Sequence, residues 1–120
     1  MSKSAVSVFA FSIYMFLLGL TLIVIPNVLL RLFSVPETSE VWIRVVGMLV
    51  LILGFYYSHA ARNDLRAFFG WTVVARTSVL LFFIAFVVAG FAPPVLIVFG
   101  VIDFAAAMWT LVALKSEAQA

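Results

Sequence analysis

Cysteine is absent from this chain of 120 residues. Disulfide bonds, thiolate metal sites and cysteine nucleophiles are therefore excluded, and the redox compartment stays undetermined. Histidine occurs once, as His59, and a single histidine without a spaced partner makes a poor metal or haem site. We expect neither a metal nor a cofactor.

Charge is also scarce, because Lys, Arg, Asp and Glu together make up 10% of the residues. A soluble domain carries about 25%. The net charge of +2 is too small and too dispersed for a nucleic-acid surface. Hydrophobic residues make up 67% of the chain, so most of its surface has to face the lipid bilayer rather than water.

Four apolar stretches are long enough to span a bilayer as helices, which takes about 20 residues each. They cover residues 5–25, 41–61, 68–91 and 94–114. The first is longer than the apolar region of a signal peptide, about 7–15 residues, so we interpret it as an uncleaved span. Short connections make consecutive spans antiparallel neighbours. The sequence therefore predicts an all-α, up-down-up-down four-helix bundle, with residues 1–120 forming one transmembrane domain.

Basic residues are distributed unequally between the two sides of this predicted bundle. One side carries Lys3, Arg62, Arg66 and Lys115, and the other carries Arg31 and Arg44. Because basic residues are enriched on the cytoplasmic side, we expect both termini in the cytoplasm.

Two charged residues, Arg76 and Asp103, lie deep inside the predicted spans. At 1.5 Å per residue, they lie ~12 Å and ~16 Å from the same membrane edge. Their helices are neighbours, so the sequence predicts a buried Arg76–Asp103 ion pair, with Arg44 as a second candidate partner for Asp103. Such a pair fixes helix register, or it serves as an ion or proton relay or as a polar contact for a ligand.

Small residues follow one stripe of the second span, at Gly47, Gly54 and Ser58. Small residues let membrane helices approach closely, so we expect helix packing there, either within the bundle or between copies. In the fourth span, Ala107 and Thr110 share a helical face with Asp103, and this face is a candidate ligand surface.

The arrangement of these residues resembles a known group of proteins. The second span ends in the stretch Gly54 to Arg62, the third carries Arg76 early, and the fourth carries Asp103 and ends Trp109 to Leu114. This pattern, over the last two thirds of the chain, resembles small bacterial four-helix membrane proteins of the broad DoxX-like group. The resemblance implies a bacterial inner membrane and an accessory role beside redox proteins, and it supplies no catalytic residues.

Three functions remain open at this point. The first is a non-enzymatic accessory subunit or helix-interaction protein, with a membrane protein partner or a second copy. The second is a small ion- or proton-coupled transporter that uses Asp103 and Arg76. The third is a lipid- or quinone-binding membrane protein. No catalytic motif favours an enzyme.

Overall fold

The computed structural model describes residues 1–119, which form five α-helices. They are α1 (Lys3–Val24), α2 (Pro26–Leu32), α3 (Trp42–Arg62), α4 (Arg66–Val88) and α5 (Leu96–Ala118). The prediction of an all-α helical bundle is confirmed. The additional short helix α2 begins at Pro26, where a missing N–H costs no intrahelical bond.

Within residues 1–119, four helices are long and apolar enough to cross a membrane, namely α1, α3, α4 and α5. By length and composition, the chain is an integral membrane protein. The helix bounds differ from the predicted spans by four residues at most, and the largest difference is at the end of α5. Residues 115–118, which lie beyond the predicted fourth span, continue that helix, and Glu117 there binds Ser4 and Arg66.

Helices α2, α3 and α4 are each followed, two residues after their last residue, by a residue in the left-handed conformation. These residues are Ser34, Asp64 and Gly90, with φ of 56°, 51° and 81°. In each case the next N–H donates to the carbonyl five residues back. These bonds run from Val35 to Leu30, from Leu65 to Ala60 and from Phe91 to Phe86, at 2.9, 3.0 and 2.8 Å. This geometry satisfies carbonyls that a helix end otherwise leaves unbonded.

The chain divides into two compact units, each containing a helical hairpin. One unit is residues 9–59, which hold most of α1, all of α2 and most of α3. The other, as far as it is described, is residues 1–8 together with 60–119, and it holds the beginning of α1, the end of α3, α4 and α5.

In the unit of residues 9–59, α1 and α3 approach with almost no side chain between them. A Cβ atom built on Gly19 would lie 2.8 Å from the Gly47 carbonyl oxygen, and one built on Gly47 would lie 2.8 Å from that of Gly19. A Cβ atom built on Gly54 would lie 3.2–3.3 Å from side-chain atoms of Met15 and Phe16. The glycines of the small-residue stripe thus pack inside this hairpin.

In the other unit, α4 packs against α5. Gly100 lets the two helices approach, since a Cβ there would lie 3.0 Å from Cα of Leu80. Phe69 and Ala107 are fully buried, and Val73 and Ala113 are nearly so. The polar groups described below lie in this unit.

Candidate functional site

Arg76 is the centre of a buried polar cluster, and only 2% of its surface is exposed. Its Nη2 donates to Oγ1 of Thr72 and to Oγ1 of Thr110, both at 2.9 Å. Its Nε donates to the Thr72 carbonyl oxygen at 3.2 Å. Helical side chains lean toward the helix N-terminus, so Arg76 reaches back one turn to Thr72.

The Arg76 guanidinium only donates, so Thr110 accepts from it. Thr110 Oγ1 also lies 2.7 Å from Ser7 Oγ and 3.3 Å from the Ala106 carbonyl oxygen. Ser7 Oγ lies 2.7 Å from the Ser4 carbonyl oxygen. A chain of hydrogen bonds thus links Arg76 through Thr110 and Ser7 to the backbone of α1.

The carboxylate of Glu117 continues this polar line at the end of α5. It accepts from the Ser4 backbone N–H at 2.8 Å and from Ser4 Oγ at 2.7 Å, and it lies 3.3 Å from Nη1 of Arg66. The first N–H groups of a helix have no partner within the helix and carry partial positive charge. Glu117 therefore caps the beginning of α1 from α5.

Asp64 and Ser2 form a second contact at the same helix end. Ser2 Oγ accepts from the Ala5 N–H at 3.2 Å, as an N-cap residue does, and donates to Asp64 Oδ1 at 2.7 Å. Arg66 Nε lies 3.3 Å from the other Asp64 oxygen. The hydrogen bond from Ser2, assisted by Arg66, lowers the pKa of Asp64 below its ordinary value.

Asp103 lies on α5 and is half-buried. It interacts electrostatically with Arg76, while the hydrogen bonds of the guanidinium described above go to Thr72 and Thr110. The direct ion pair stays a prediction. The depth of a residue along its helix does not by itself predict which side chains meet, because the side chains of antiparallel helices lean toward opposite membrane faces. Arg76 leans toward Thr110, which lies two turns from Asp103 along α5.

The remaining predicted site residues lie as follows. Ala107 and Thr110 are fully buried, and the Thr110 hydroxyl is bonded to Arg76 and Ser7, so this face is packed rather than open. Ser58 is 4% exposed and donates to the Phe55 carbonyl oxygen at 2.9 Å. Arg44 donates from Nη1 to the Ile23 carbonyl oxygen, where a cation complements the C-terminal end of α1.

The sequence interpretation missed four members of the cluster, namely Ser4, Ser7, Thr72 and Glu117. A signal for three of them was present. Ser4 and Ser7 are three residues apart and share a face of α1, and Thr72 precedes Arg76 by one turn. Glu117 gave no such signal, because its partner Ser4 is 113 residues away in the sequence.

Comparisons with known proteins give no relative, since the chain matches no family model, no curated protein and no solved structure. The chemistry of the site therefore rests on its own residues. Among residues 1–119, no group of three or more His, Cys, Asp or Glu side chains could hold a metal ion. The cluster is a fixed cation surrounded by hydroxyl groups, an arrangement suited to holding helices together or binding a negative group.

Proposed function

We propose that the chain is a non-enzymatic membrane protein that acts through helix–helix contact, as an accessory subunit or a small homo-oligomer. In this proposal Asp103 on α5 lies in the contact. The observation that carries it is the state of this carboxylate, which is half-buried at membrane depth. Among residues 1–119, this carboxylate interacts electrostatically with Arg76 and forms no hydrogen bond.

A carboxylate in this position is costly if lipid covers it. An acidic residue at the centre of a membrane helix costs about 2.5–3.5 kcal/mol on insertion scales, and such residues normally face protein or water. The exposed apolar side chains of Val98, Val101 and Ile102 lie about 100–160° around α5 from Asp103, so they belong to other faces of the helix. A helix that brings a hydrogen-bond donor to the depth of Asp103 would cover the carboxylate.

The resemblance to the DoxX-like group supports the same proposal, because the group's best-named members serve beside other membrane proteins. An inner-membrane location with both termini in the cytoplasm belongs to the proposal as well. Its support is the basic surplus of Lys3, Arg62, Arg66 and Lys115 on one side.

The test is the native mass spectrum of the protein extracted in a mild detergent. We expect a stoichiometric second protein or a defined homo-oligomer for the wild type, and its loss in Asp103→Leu. The matched control is Val101→Leu, which changes an exposed apolar residue of the same helix. A wild-type monomer without a bound protein, or an unchanged complex in Asp103→Leu, would contradict the proposal.

A small ion- or proton-coupled carrier is the second candidate. The electrostatic interaction of Arg76 and Asp103 at membrane depth favours it, since embedded charge pairs often mark ion pathways. Flux into liposomes that is abolished by Asp103→Asn would support this function. Flux that is absent, or that the substitution leaves unchanged, would eliminate it.

A further inference from the structure

A groove lies between the beginning of α1 and the last three turns of α5, within the unit that contains residues 1–8 and 60–119. Its volume is about 480 Å³. Pockets of about 300–1,000 Å³ hold small-molecule ligands. The residues that line it and matter here are Lys3, Val6, Trp109, Val112, Ala113 and Ser116.

Two helix faces produce this groove and separate it from the buried polar cluster. Trp109, Val112 and Ser116 follow each other at helical spacing on α5, and Lys3 and Val6 do so on α1. Neighbouring positions on the same helices, such as Ser4, Ser7 and Thr110, are fully buried in the cluster. The groove therefore faces outward, whereas the hydrogen-bonded cluster faces inward.

The polarity of the groove changes along the membrane normal. Lys3 and Ser116 are exposed near the helix ends, where Glu117 and Arg66 pair. Val6, Trp109 and Val112 lie deeper, with 45%, 50% and 65% of their surfaces exposed. Tryptophan in membrane helices prefers the interfacial depth at which headgroup and acyl chain meet. A polar, cationic end above an apolar wall matches the amphipathic form of a phospholipid.

The charge of the groove selects among phospholipids. Among the described residues that line the groove, Lys3 carries the one charged side chain. Two carboxylates of the same unit are engaged by other residues, Glu117 by Ser4 and Arg66, and Asp64 by Ser2 and Arg66. An ammonium group that is exposed beside an apolar slot attracts a negatively charged headgroup.

We propose that this groove binds one anionic phospholipid, with its phosphate at Lys3 and an acyl chain along Val6, Trp109 and Val112. This site lies about two turns or more along α5 from Asp103 and does not depend on the helix contact proposed above. Basic residues beside the anionic leaflet contribute about 1 kcal/mol each, which corresponds to roughly fivefold in binding.

The test offers the purified protein equal amounts of phosphatidylglycerol and phosphatidylcholine with identical acyl chains and counts the lipids retained by native mass spectrometry. We expect the wild type to retain phosphatidylglycerol about fivefold over phosphatidylcholine. Lys3→Gln should bring the ratio near one. Lys115→Gln, which removes an exposed lysine outside the groove, should leave the ratio unchanged.

A second variant tests the groove itself independently of charge. Ser116→Trp places a large side chain at an exposed position in the groove and should remove the retained lipid while leaving helix content, measured by circular dichroism, unchanged. Equal retention of both lipids by the wild type would overturn the proposal. Equal losses of phosphatidylglycerol in Lys3→Gln and Lys115→Gln would also overturn it, because they would indicate unspecific surface charge. A protein dimer that Ser116→Trp dissociates would overturn it as well, because a second copy would then occupy the groove.

Discussion

The hydroxyl oxygen of Thr110 lies 2.9 Å from Nη2 of Arg76 and 2.7 Å from Oγ of Ser7. One small side chain on α5 thus joins an arginine on α4 to a serine on α1. It accepts a hydrogen bond from the first and forms one with the second, so its hydroxyl group serves both neighbours. A guanidinium group can be buried here because hydroxyl and carbonyl oxygens replace part of its hydration.

Replacing Thr110 by valine should destabilise the protein. Valine keeps the shape of threonine but removes an acceptor of Arg76 and the hydrogen bond with Ser7, at a cost of about 1–3 kcal/mol in the free energy of unfolding. Thr110→Ser keeps the hydroxyl and serves as the control. Unfolding in mixed micelles would measure both variants, and equal stability of Thr110→Val and the wild type would refute this role.

The glycines at the α1–α3 crossing give a second prediction. Gly47→Ala places a methyl group 2.8 Å from the Gly19 carbonyl oxygen and should cost about 1–3 kcal/mol, because backbone atoms have to move. Gly70→Ala is the matched control, since a Cβ there meets nothing within 4 Å. Alanine is the better helix former, so this variant should gain up to about 1 kcal/mol. The same unfolding measurement checks both, and a similar loss in the two variants would count against a close crossing.

Asp64, in the turn after α3, should make the free energy of unfolding depend on pH. The pKa of Asp64 is lower in the folded protein than its ordinary value of 3.8. Ionised Asp64 therefore stabilises the fold above about pH 4, and this stabilisation is lost as the pH falls through the lowered pKa. In Asp64→Asn this contribution should disappear, so the stability curves of variant and wild type should converge toward low pH. Curves that stay parallel between pH 6 and pH 2 would show that the contact with Ser2 contributes nothing.

The sequence predicts the elements of this fold well because lipid imposes a simple rule. A bilayer demands apolar helices of about 20 residues, and such runs are visible without any knowledge of packing. The residues that end the helices are harder to predict from the sequence. Ser34 and Asp64 adopt the left-handed conformation at helix ends, which glycine adopts most readily, as Gly90 does.

The polar cluster was predictable only in part, because its members are distant in sequence. Depth counting identified Arg76 as a residue that needs polar neighbours. It did not show that the guanidinium leans back to Thr72 and Thr110, since the lean depends on side-chain direction within antiparallel helices. Glu117 lies beyond the predicted fourth span, and its contact with Ser4, 113 residues away, is not visible in the sequence.

The cap that Glu117 places on α1 should hold the beginning of that helix. In Glu117→Ala the Ser4 N–H loses its acceptor, so we expect faster hydrogen exchange at the first turn of α1 than in the wild type. Glu117→Gln retains an acceptor oxygen without the charge and should show an intermediate rate. Glu37→Ala is the control, because Glu37 forms an exposed ion pair with Arg31 in the unit of residues 9–59. This variant should leave exchange at Ser4 unchanged. Unchanged exchange in Glu117→Ala would refute the cap.

The predicted pairing of Arg76 with Asp103 can be decided by a double-mutant cycle. If the two charges stabilise each other, Asp103→Asn lowers the folded yield more than the double variant with Arg76→Gln does, because the single change leaves an uncompensated charge at membrane depth. The free energies of unfolding of the four proteins then give a coupling of about 0.5–3 kcal/mol. Thr72→Val with Asp103→Asn is the matched cycle, since Thr72 binds the same guanidinium without carrying charge. A coupling near zero in the first cycle would refute the pairing and would mean that the hydroxyl neighbours of Arg76 are sufficient to stabilise its guanidinium group.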